Sequence, residues 1–215
     1  MNSEKIKILI ADDHAIVREG LKQIVAEEKD ILVEGEAENA EQLMNHLEKE
    51  KWSLIILDIN MPGKSGLEAL KDIKLQYPEL PVLILSMFSE DQYGIRAIKA
   101  GASGYLKKVS APTELVNAIR KIVSGGMYIN PSLAEKLAEK FGQKEKELLH
   151  EKLSDREYQI MCSIALGKSA EEIAQDLSIS INTVYTYRNR ILEKMSMKSN
   201  VELTQYVLSN KLIEI

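Results

Sequence analysis

The sequence has one cysteine, Cys162, among its 215 residues, so no disulfide can form within the chain. Such cysteine usage fits a reducing compartment such as the cytoplasm. Cys162 lies in an apolar helical stretch, where a small buried hydrophobe is a better interpretation than a reactive thiol.

Long apolar runs are also missing: no stretch of about 18 apolar residues, the length that a membrane-spanning helix needs, is present. The first residues contain neither a basic segment nor a small-residue cleavage site, so we do not expect a secretory signal. We therefore expect a cytoplasmic protein without a membrane partner.

An excess of positive charge is absent as well, because the net charge is −5 at pH 7. Residues 151–215 contain eight Lys and Arg against nine Asp and Glu, and their positive side chains are concentrated from Arg188 to Lys198. This balance argues against a generic nucleic-acid coat protein. Any DNA binding must depend on a local basic patch.

Residues 1–125 do contain a regular alternation of strand-like and helix-like segments. The strand-like runs are residues 6–10, 31–37, 54–57, 82–85 and 104–106. The third and fourth runs have no polar alternation, as in strands that are covered on both faces. Five βα units in about 125 residues predict an α/β fold with a doubly wound, five-stranded parallel sheet.

Residues 151–215 have helical patterns only. Ser-x-x-Glu capping boxes begin the first two helices at Ser154 and Ser169, and Ser180 and Ser199 can cap two more. Only the segment 178–180 separates the second helix from the third. A short turn between two helices predicts a small all-α, four-helix helix-turn-helix domain.

Acidic residues stand at the ends of two predicted strands: Asp12 and Asp13 follow the first, and Asp58 follows the third. Because the carboxyl ends of parallel strands meet at one edge of the sheet, we expect these side chains to converge. Three carboxylates repel one another unless a cation lies among them, and Mg²⁺ is the natural candidate. A carboxylate beside Mg²⁺ can attack a phosphoryl group.

Ser86 and Lys108 follow the fourth and fifth predicted strands, where a hydroxyl and a cation could contact phosphoryl oxygens. A single strand-end Asp often only caps a helix. Five suitable residues at four strand ends are hard to explain by capping alone. His14 is interpreted as a solvent-exposed residue that opens the first helix, because no second His or Cys accompanies it. Gly63 and Gly66 are interpreted as loop residues.

These motifs give residues 1 to about 125 a resemblance to the receiver domain of two-component response regulators. The matching segments are Asp12-Asp13, Asp58–Gly66, Ser86 and Gly101–Lys108. The resemblance implies that a histidine kinase phosphorylates Asp58. It also implies that Asp12, Asp13, Asp58 and the backbone carbonyl of Asn60 hold Mg²⁺. Ser86 and Tyr105 would form a switch pair, and the Gly-Tyr-x-x-Lys spacing selects Lys108 over Lys107.

The third helix of the C-terminal part, Asn182–Lys194, is the predicted recognition helix. Val184, Ile191 and Met195 fit its inward face. The other side offers uncharged side chains to base edges, while basic residues suit phosphate contacts. The predicted DNA-binding residues are Asn182, Thr183, Tyr185, Thr186, Arg188, Asn189, Arg190, Lys194 and Lys198.

The segment Leu153–Leu208 resembles the LuxR-type domain of the NarL/FixJ family, and its local sequence is similar to that of the GacA/UvrY-like branch. It departs from the family at Tyr185, where Lys is usual, and at Tyr187, where His is frequent. The resemblance implies promoter binding by a homodimer that forms on phosphorylation and reads two half-sites about one DNA turn apart. The expected organisation is a receiver over 1–125, a helical linker over 126–150, and the LuxR-type domain over 151–215.

Two other interpretations remain open from the residues. A stand-alone phosphatase or phosphotransferase is disfavoured because residue 60 is Asn, where such an enzyme needs a second acid. A regulator that never uses phosphate is disfavoured by the complete acidic set. We therefore expect a non-enzymatic regulator that carries out only its own Mg²⁺-dependent phosphorylation and slow dephosphorylation.

Overall fold

The computed structural model describes residues 5–88, 90–142 and 148–213, and the chain divides into two compact units, Met1–Ala134 and Glu135–Ile215. The strands of the first unit are β1 (Ile6–Ala11), β2 (Ile31–Ala37), β3 (Leu54–Asp58), β4 (Val82–Ser86) and β5 (Gly104–Lys107). Its helices are α1 (Ala15–Val25), α2 (Ala40–Lys49), α3 (Gly66–Gln76), α4 (Glu90–Lys99) and α5 (Ala111–Val123). The next helix, α6 (Pro131–Gly142), spans the division between the units.

The five strands form one parallel sheet in the order β2-β1-β3-β4-β5. Every residue of β3 and β4 is buried, in agreement with their lack of polar alternation. Residues of α1 and α5 share a hydrophobic core with the central strands on one side of the sheet. The α/β prediction is therefore confirmed.

Helix α5 begins at Ala111. Pro112 lies in its first turn, where a missing backbone N–H leaves no intrahelical hydrogen bond unmade. The proline thus belongs to the helix and does not precede it.

The single tryptophan, Trp52, lies in the loop before β3 and is buried. Its indole Nε1 donates a hydrogen bond to the carbonyl of His46 at 3.2 Å. Its ring covers Gly35 so closely that a Cβ at that position would approach the indole to 2.5 Å.

The second unit contains α7 (Asp155–Ala165), α8 (Ala170–Asp176), α9 (Ile181–Lys194) and α10 (Asn200–Ser209). Each begins at a serine whose side chain accepts a backbone N–H three residues ahead, at Ser154, Ser169, Ser180 and Ser199. The four predicted caps are confirmed, as is the helix-turn-helix arrangement. Among the helices of the described residues, none has the length and apolar character to cross a membrane.

Candidate functional site

The sheet order places four polar strand ends beside one another. Strand β1 leads into Asp12, β3 ends at Asp58, β4 ends at Ser86, and Lys108 follows β5. These strands are neighbours in the sheet, and Asp58 is paired in register with Leu85. The side chains that the sequence assigned to one edge therefore come from adjacent strands.

Lys108 joins two deeply buried acids of the first unit. Its Nζ lies 2.7 Å from Asp58 Oδ2 and 2.6 Å from Asp12 Oδ2. Asp12 and Asp58 are almost completely buried, and the Lys108 side chain is only 10% exposed. An ammonium ion shared by two buried carboxylates reduces the repulsion between them.

The pKa values follow from this arrangement. Burial raises the pKa of Asp58 to about 6, although the ammonium of Lys108 opposes that rise. Burial acts to lower the pKa of Lys108, but its two carboxylate partners outweigh burial and leave the value raised. Lys108 therefore keeps its charge, and Asp58 is mainly an anion near neutral pH, as an attacking carboxylate must be.

Ligand atoms of Asp12, Asp13, His14 and Asp58 lie within 4.8 Å of one another, close enough to share a metal ion. Asp12 Oδ2 and Asp13 Oδ1 are enclosed, and each lies against a side-chain nitrogen, Lys108 Nζ for Asp12 and His14 Nδ1 for Asp13. The backbone N–H of Asn60 donates to the Asp58 carboxylate. Crowded carboxylate oxygens of this kind fit a hard divalent cation such as Mg²⁺.

His14 is 61% exposed and precedes α1 directly, as expected. Its ring nevertheless lies against the acids, with Nδ1 2.7 Å from Asp13 Oδ1 and 3.3 Å from Asp12 Oδ1. This contact depends on the turn from β1 into α1, and it was not predicted from the sequence.

Ser86 and Tyr105 are connected through the backbone of Phe88. Ser86 Oγ accepts the Phe88 N–H at 3.2 Å, and the Tyr105 hydroxyl donates to the Phe88 carbonyl at 3.1 Å. Tyr105 is buried; burial raises its pKa, and a hydrogen bond with Ser86 opposes the rise. The predicted switch residues thus share one hydrogen-bonded group at the start of the β4–α4 loop.

Arg18 is a site residue that the sequence analysis missed. It is buried on α1, and its guanidinium donates to the backbone carbonyl of Asp12 at 2.7 Å. The other nitrogens bind Glu36 at 2.9 Å and Glu38 at 3.0 Å. One signal was available: Arg18 occupies the helical position that continues the buried stripe of Leu21 and Val25.

In the second unit, α9 presents the faces that the sequence predicted. Val184, Ile191 and Met195 are buried. The exposed residues of its first nine positions are Ile181, Asn182, Tyr185, Thr186 and Asn189.

A buried arginine holds the turn before α9. Arg156 donates to the Leu177 carbonyl at 3.0 Å and to Gln159 Oε1 at 2.8 Å. Ser178, in the same turn, has a φ of 51°. Arg156 thus ties the end of α8 to α7, directly before the turn that leads into α9.

The basic residues of this region differ in their surroundings. Arg188 Nε donates to Asn200 Oδ1 at 2.6 Å, and the guanidinium of Arg190 lies 6.0 Å from the ring centre of Tyr187. Lys194 binds the buried Glu157 of α7 at 2.7 Å, so it ties two helices together. Lys198 is exposed beyond the end of α9.

Two family patterns match the chain. Residues 8–120 match the response regulator receiver domain, and residues 151–207 match the bacterial regulatory proteins of the luxR family. The chain is similar to the response regulator GacA of Pseudomonas protegens, with 35% identity over 97% of this chain and 98% of that protein. The response regulator UvrY of Escherichia coli K12 is 36% identical over 96% of this chain and 95% of its own length. A solved structure of two RcsB dimers bound to two parallel DNAs is 28% identical, with a TM-score of 0.60, over 96% of this chain and 99% of that chain.

Proposed function

Because the chain belongs to the NarL/FixJ family of response regulators, which join a receiver domain to a LuxR-type DNA-binding domain, we propose that Asp58 is its phosphoacceptor. The protein is a transcriptional response regulator, and it is not an enzyme acting on other molecules. A histidine kinase supplies the phosphoryl group. The receiver domain extends over residues 1–125, the linker over 126–150 and the DNA-binding domain over 151–215.

In the proposed reaction, an oxygen of Asp58 forms a bond to phosphorus while the bond from phosphorus to the kinase histidine breaks. Asp12, Asp13, Asp58 and the carbonyl of Asn60 would hold Mg²⁺, which neutralises charge on the phosphoryl oxygens. Lys108 already contacts Asp58 Oδ2 at 2.7 Å, so its ammonium can also bind the negatively charged oxygens of the new phosphoryl group. Slow hydrolysis of the acyl phosphate returns the receiver to its starting state.

The hydroxyl of Ser86 is the switch in this proposal. It now contacts the Phe88 backbone, which Tyr105 also binds. A phosphoryl group on Asp58 would attract the Ser86 hydroxyl and thereby weaken its hydrogen bond with the Phe88 backbone. Tyr105 and the loop could then adopt a second arrangement, so that phosphorylation shifts an existing equilibrium.

The DNA-binding domain would act as a homodimer on promoter DNA, as RcsB does in the structure of two dimers on two parallel DNAs. Two copies of α9 would enter the major groove at half-sites about one turn apart. The cytoplasm, which contains bacterial promoters, is the proposed location. The proposed contacts to DNA are Asn182, Thr183, Tyr185, Thr186, Arg188, Asn189, Arg190, Lys194 and Lys198.

The observation that carries the proposal is the Lys108 ammonium between Asp12 and Asp58. Its test is phosphorylation of the full chain by a small acyl-phosphate donor with Mg²⁺, followed by mass spectrometry. The wild type should gain one phosphoryl group, and Asp58→Asn should gain none. Glu48→Gln, an exposed change on α2, is the control and should be phosphorylated normally.

Oligomeric state and promoter affinity are then measured on the same samples. The phosphorylated wild type should form dimers and bind DNA more tightly, while Asp58→Asn stays unchanged by the donor. Equal dimerisation and DNA affinity of Asp58→Asn and the wild type, with and without donor, would reject the phosphorylation switch.

A further inference from the structure

The face of α9 that would enter DNA has an unusual composition in its N-terminal half. The exposed side chains between Ile181 and Asn189 are all uncharged. In a helix-turn-helix domain, residues from this part of the recognition helix contact base edges. The chemistry of these few side chains therefore determines which bases can be read.

Three of the exposed residues, Ile181, Tyr185 and Thr186, present apolar surface. Tyr185 is 50% exposed. Thr186 Oγ1 donates to the carbonyl of Asn182 at 2.9 Å, one turn earlier, so the hydroxyl is used within the helix and the methyl group remains for contact. In the major groove, apolar side chains contact the methyl group of thymine.

The other two polar residues are amides. Asn182 and Asn189 are seven positions apart, so they lie on the same face two turns from each other. An asparagine amide can donate to N7 of adenine while it accepts from the adenine amino group. Thymine and adenine are the two bases that this set of side chains suits.

Guanine is most often read by Arg or Lys, and the two arginines nearest to this face both contact other side chains of the domain. Arg188 is only partly exposed, and it donates to Asn200 at 2.6 Å and to Asn189 at 3.2 Å. Arg190 lies over the ring of Tyr187, on the opposite flank of the helix from Tyr185.

We infer that the N-terminal half of α9 recognises A·T base pairs in the major groove. Tyr185 and Thr186 contact thymine methyl groups, and the amide of Asn182 binds adenine. This inference rests on the proposed function, because it requires that α9 enters the major groove of DNA.

The first experiment selects duplexes from a random library with the full-length protein, Mg²⁺ and an acyl-phosphate donor. A·T pairs should be enriched at the central positions of both half-sites. Enrichment of half-sites centred on invariant G·C pairs would overturn the inference and leave DNA binding intact. If no sequence is enriched with or without the donor, the proposed function fails and the inference fails with it.

The second experiment replaces the selected thymines by uracil, which removes only the methyl groups. Wild-type affinity should fall about fourfold for each methyl lost, the ratio expected for burial of one methyl-sized group. Tyr185→Ala should bind the thymine site more weakly and lose sensitivity to uracil at one position.

Tyr187→Ala is the matched control, since it removes the same side chain from the other flank of α9. It should retain the full uracil effect. A wild type that binds thymine and uracil sites equally would refute the methyl contacts. If Tyr187→Ala abolished the uracil effect and Tyr185→Ala preserved it, the assignment to Tyr185 would be refuted.

Discussion

Arg18 supports the acidic site through the protein backbone. Its guanidinium binds the carbonyl of Asp12, while Glu36 and Glu38 fix the remaining nitrogens. Lys22 binds Glu36 from its other side at 2.9 Å. A planar guanidinium has five donors on three nitrogens in a rigid arrangement, so it can bind three acceptors that lie apart, whereas a lysine has a single nitrogen. Arg18 is therefore a positioning residue for the Asp12 carboxylate.

Replacement of Arg18 by Lys should raise the Mg²⁺ concentration for half-maximal phosphorylation by about fivefold, the effect of about one lost hydrogen bond. The maximal rate should change little, because Asp58, Ser86 and Lys108 are untouched. Phosphorylation by an acyl-phosphate donor is measured across a Mg²⁺ titration.

Arg120→Lys is the control for this change. Arg120 also binds two acids, Glu28 and Asp30, but it is exposed. Its variant should keep the wild-type Mg²⁺ dependence. If both variants shift equally, the effect of Arg18 is one of general stability.

At the scale of elements, the start of α3 is packed against the end of β3. The Gly66 N–H donates to the Ile59 carbonyl at 2.9 Å, and a Cβ on Gly66 would lie 1.9 Å from the Asp58 carbonyl oxygen. Both neighbours are backbone, so neither can rotate away. The prediction that Gly66 is a loop residue was wrong in one respect, because Gly66 is the first residue of α3. A glycine is needed there because the backbone of Asp58 lies too close for a Cβ.

Gly66→Ala should destabilise the first unit by about 1–3 kcal/mol, the usual cost of overpacking, and should slow phosphorylation by displacing Asp58. Gly20→Ala is the matched change inside α1, where a Cβ meets nothing within 4 Å. That variant should gain about 0.5–1 kcal/mol from helix propensity. Urea unfolding of both variants measures the difference, and equal stabilities would contradict the packing argument.

Helices α7 and α9 are joined by the ion pair of Glu157 and Lys194. Burial acts to raise the pKa of Glu157, but hydrogen bonds from Lys194 and Ser154 prevail and leave it below its ordinary 4.5. A carboxyl whose pKa is lowered by folding stabilises the fold above its unfolded pKa. That contribution is lost as the pH falls through the lower, folded value.

Glu157→Gln should therefore weaken the second unit near neutral pH and flatten its stability between about pH 5 and pH 3. Glutamine still satisfies the capping box, so the substitution removes the charge and keeps the helix cap. Unfolding of the unit is followed by denaturant titration at several pH values. An unchanged pH dependence in the variant would show that the ion pair contributes nothing.

At the scale of the whole molecule, the features that could be predicted from the sequence are the strand-end site, which depends on strand order, and the helix starts, which depend on serine caps. Five strand-end residues could be assigned to one site because parallel strands end at the same edge. The hydrogen bonds of Arg18 could not be predicted, because they depend on how α1 packs against the end of β2 in three dimensions. The pairing of Lys194 with Glu157, residues 37 positions apart, was hidden for the same reason.

The charge of the second unit leads to a prediction about salt. Its affinity for DNA should fall steeply with salt concentration, although residues 151–215 are not basic as a whole. Lys198→Gln should reduce the slope of log affinity against log salt by about one per protomer. Lys51→Gln, an exposed change in the first unit, should leave the slope unaltered. A slope near zero in the wild type would exclude phosphate contacts as the source of affinity.

Trp52 has an optical consequence. It is the only indole of the chain, and it is buried in the first unit against His46 and Gly35. Fluorescence excited selectively at tryptophan therefore reports on that unit alone, within the intact protein. Tyrosines occur in both units, so the single indole is the label that distinguishes the first unit without any added dye.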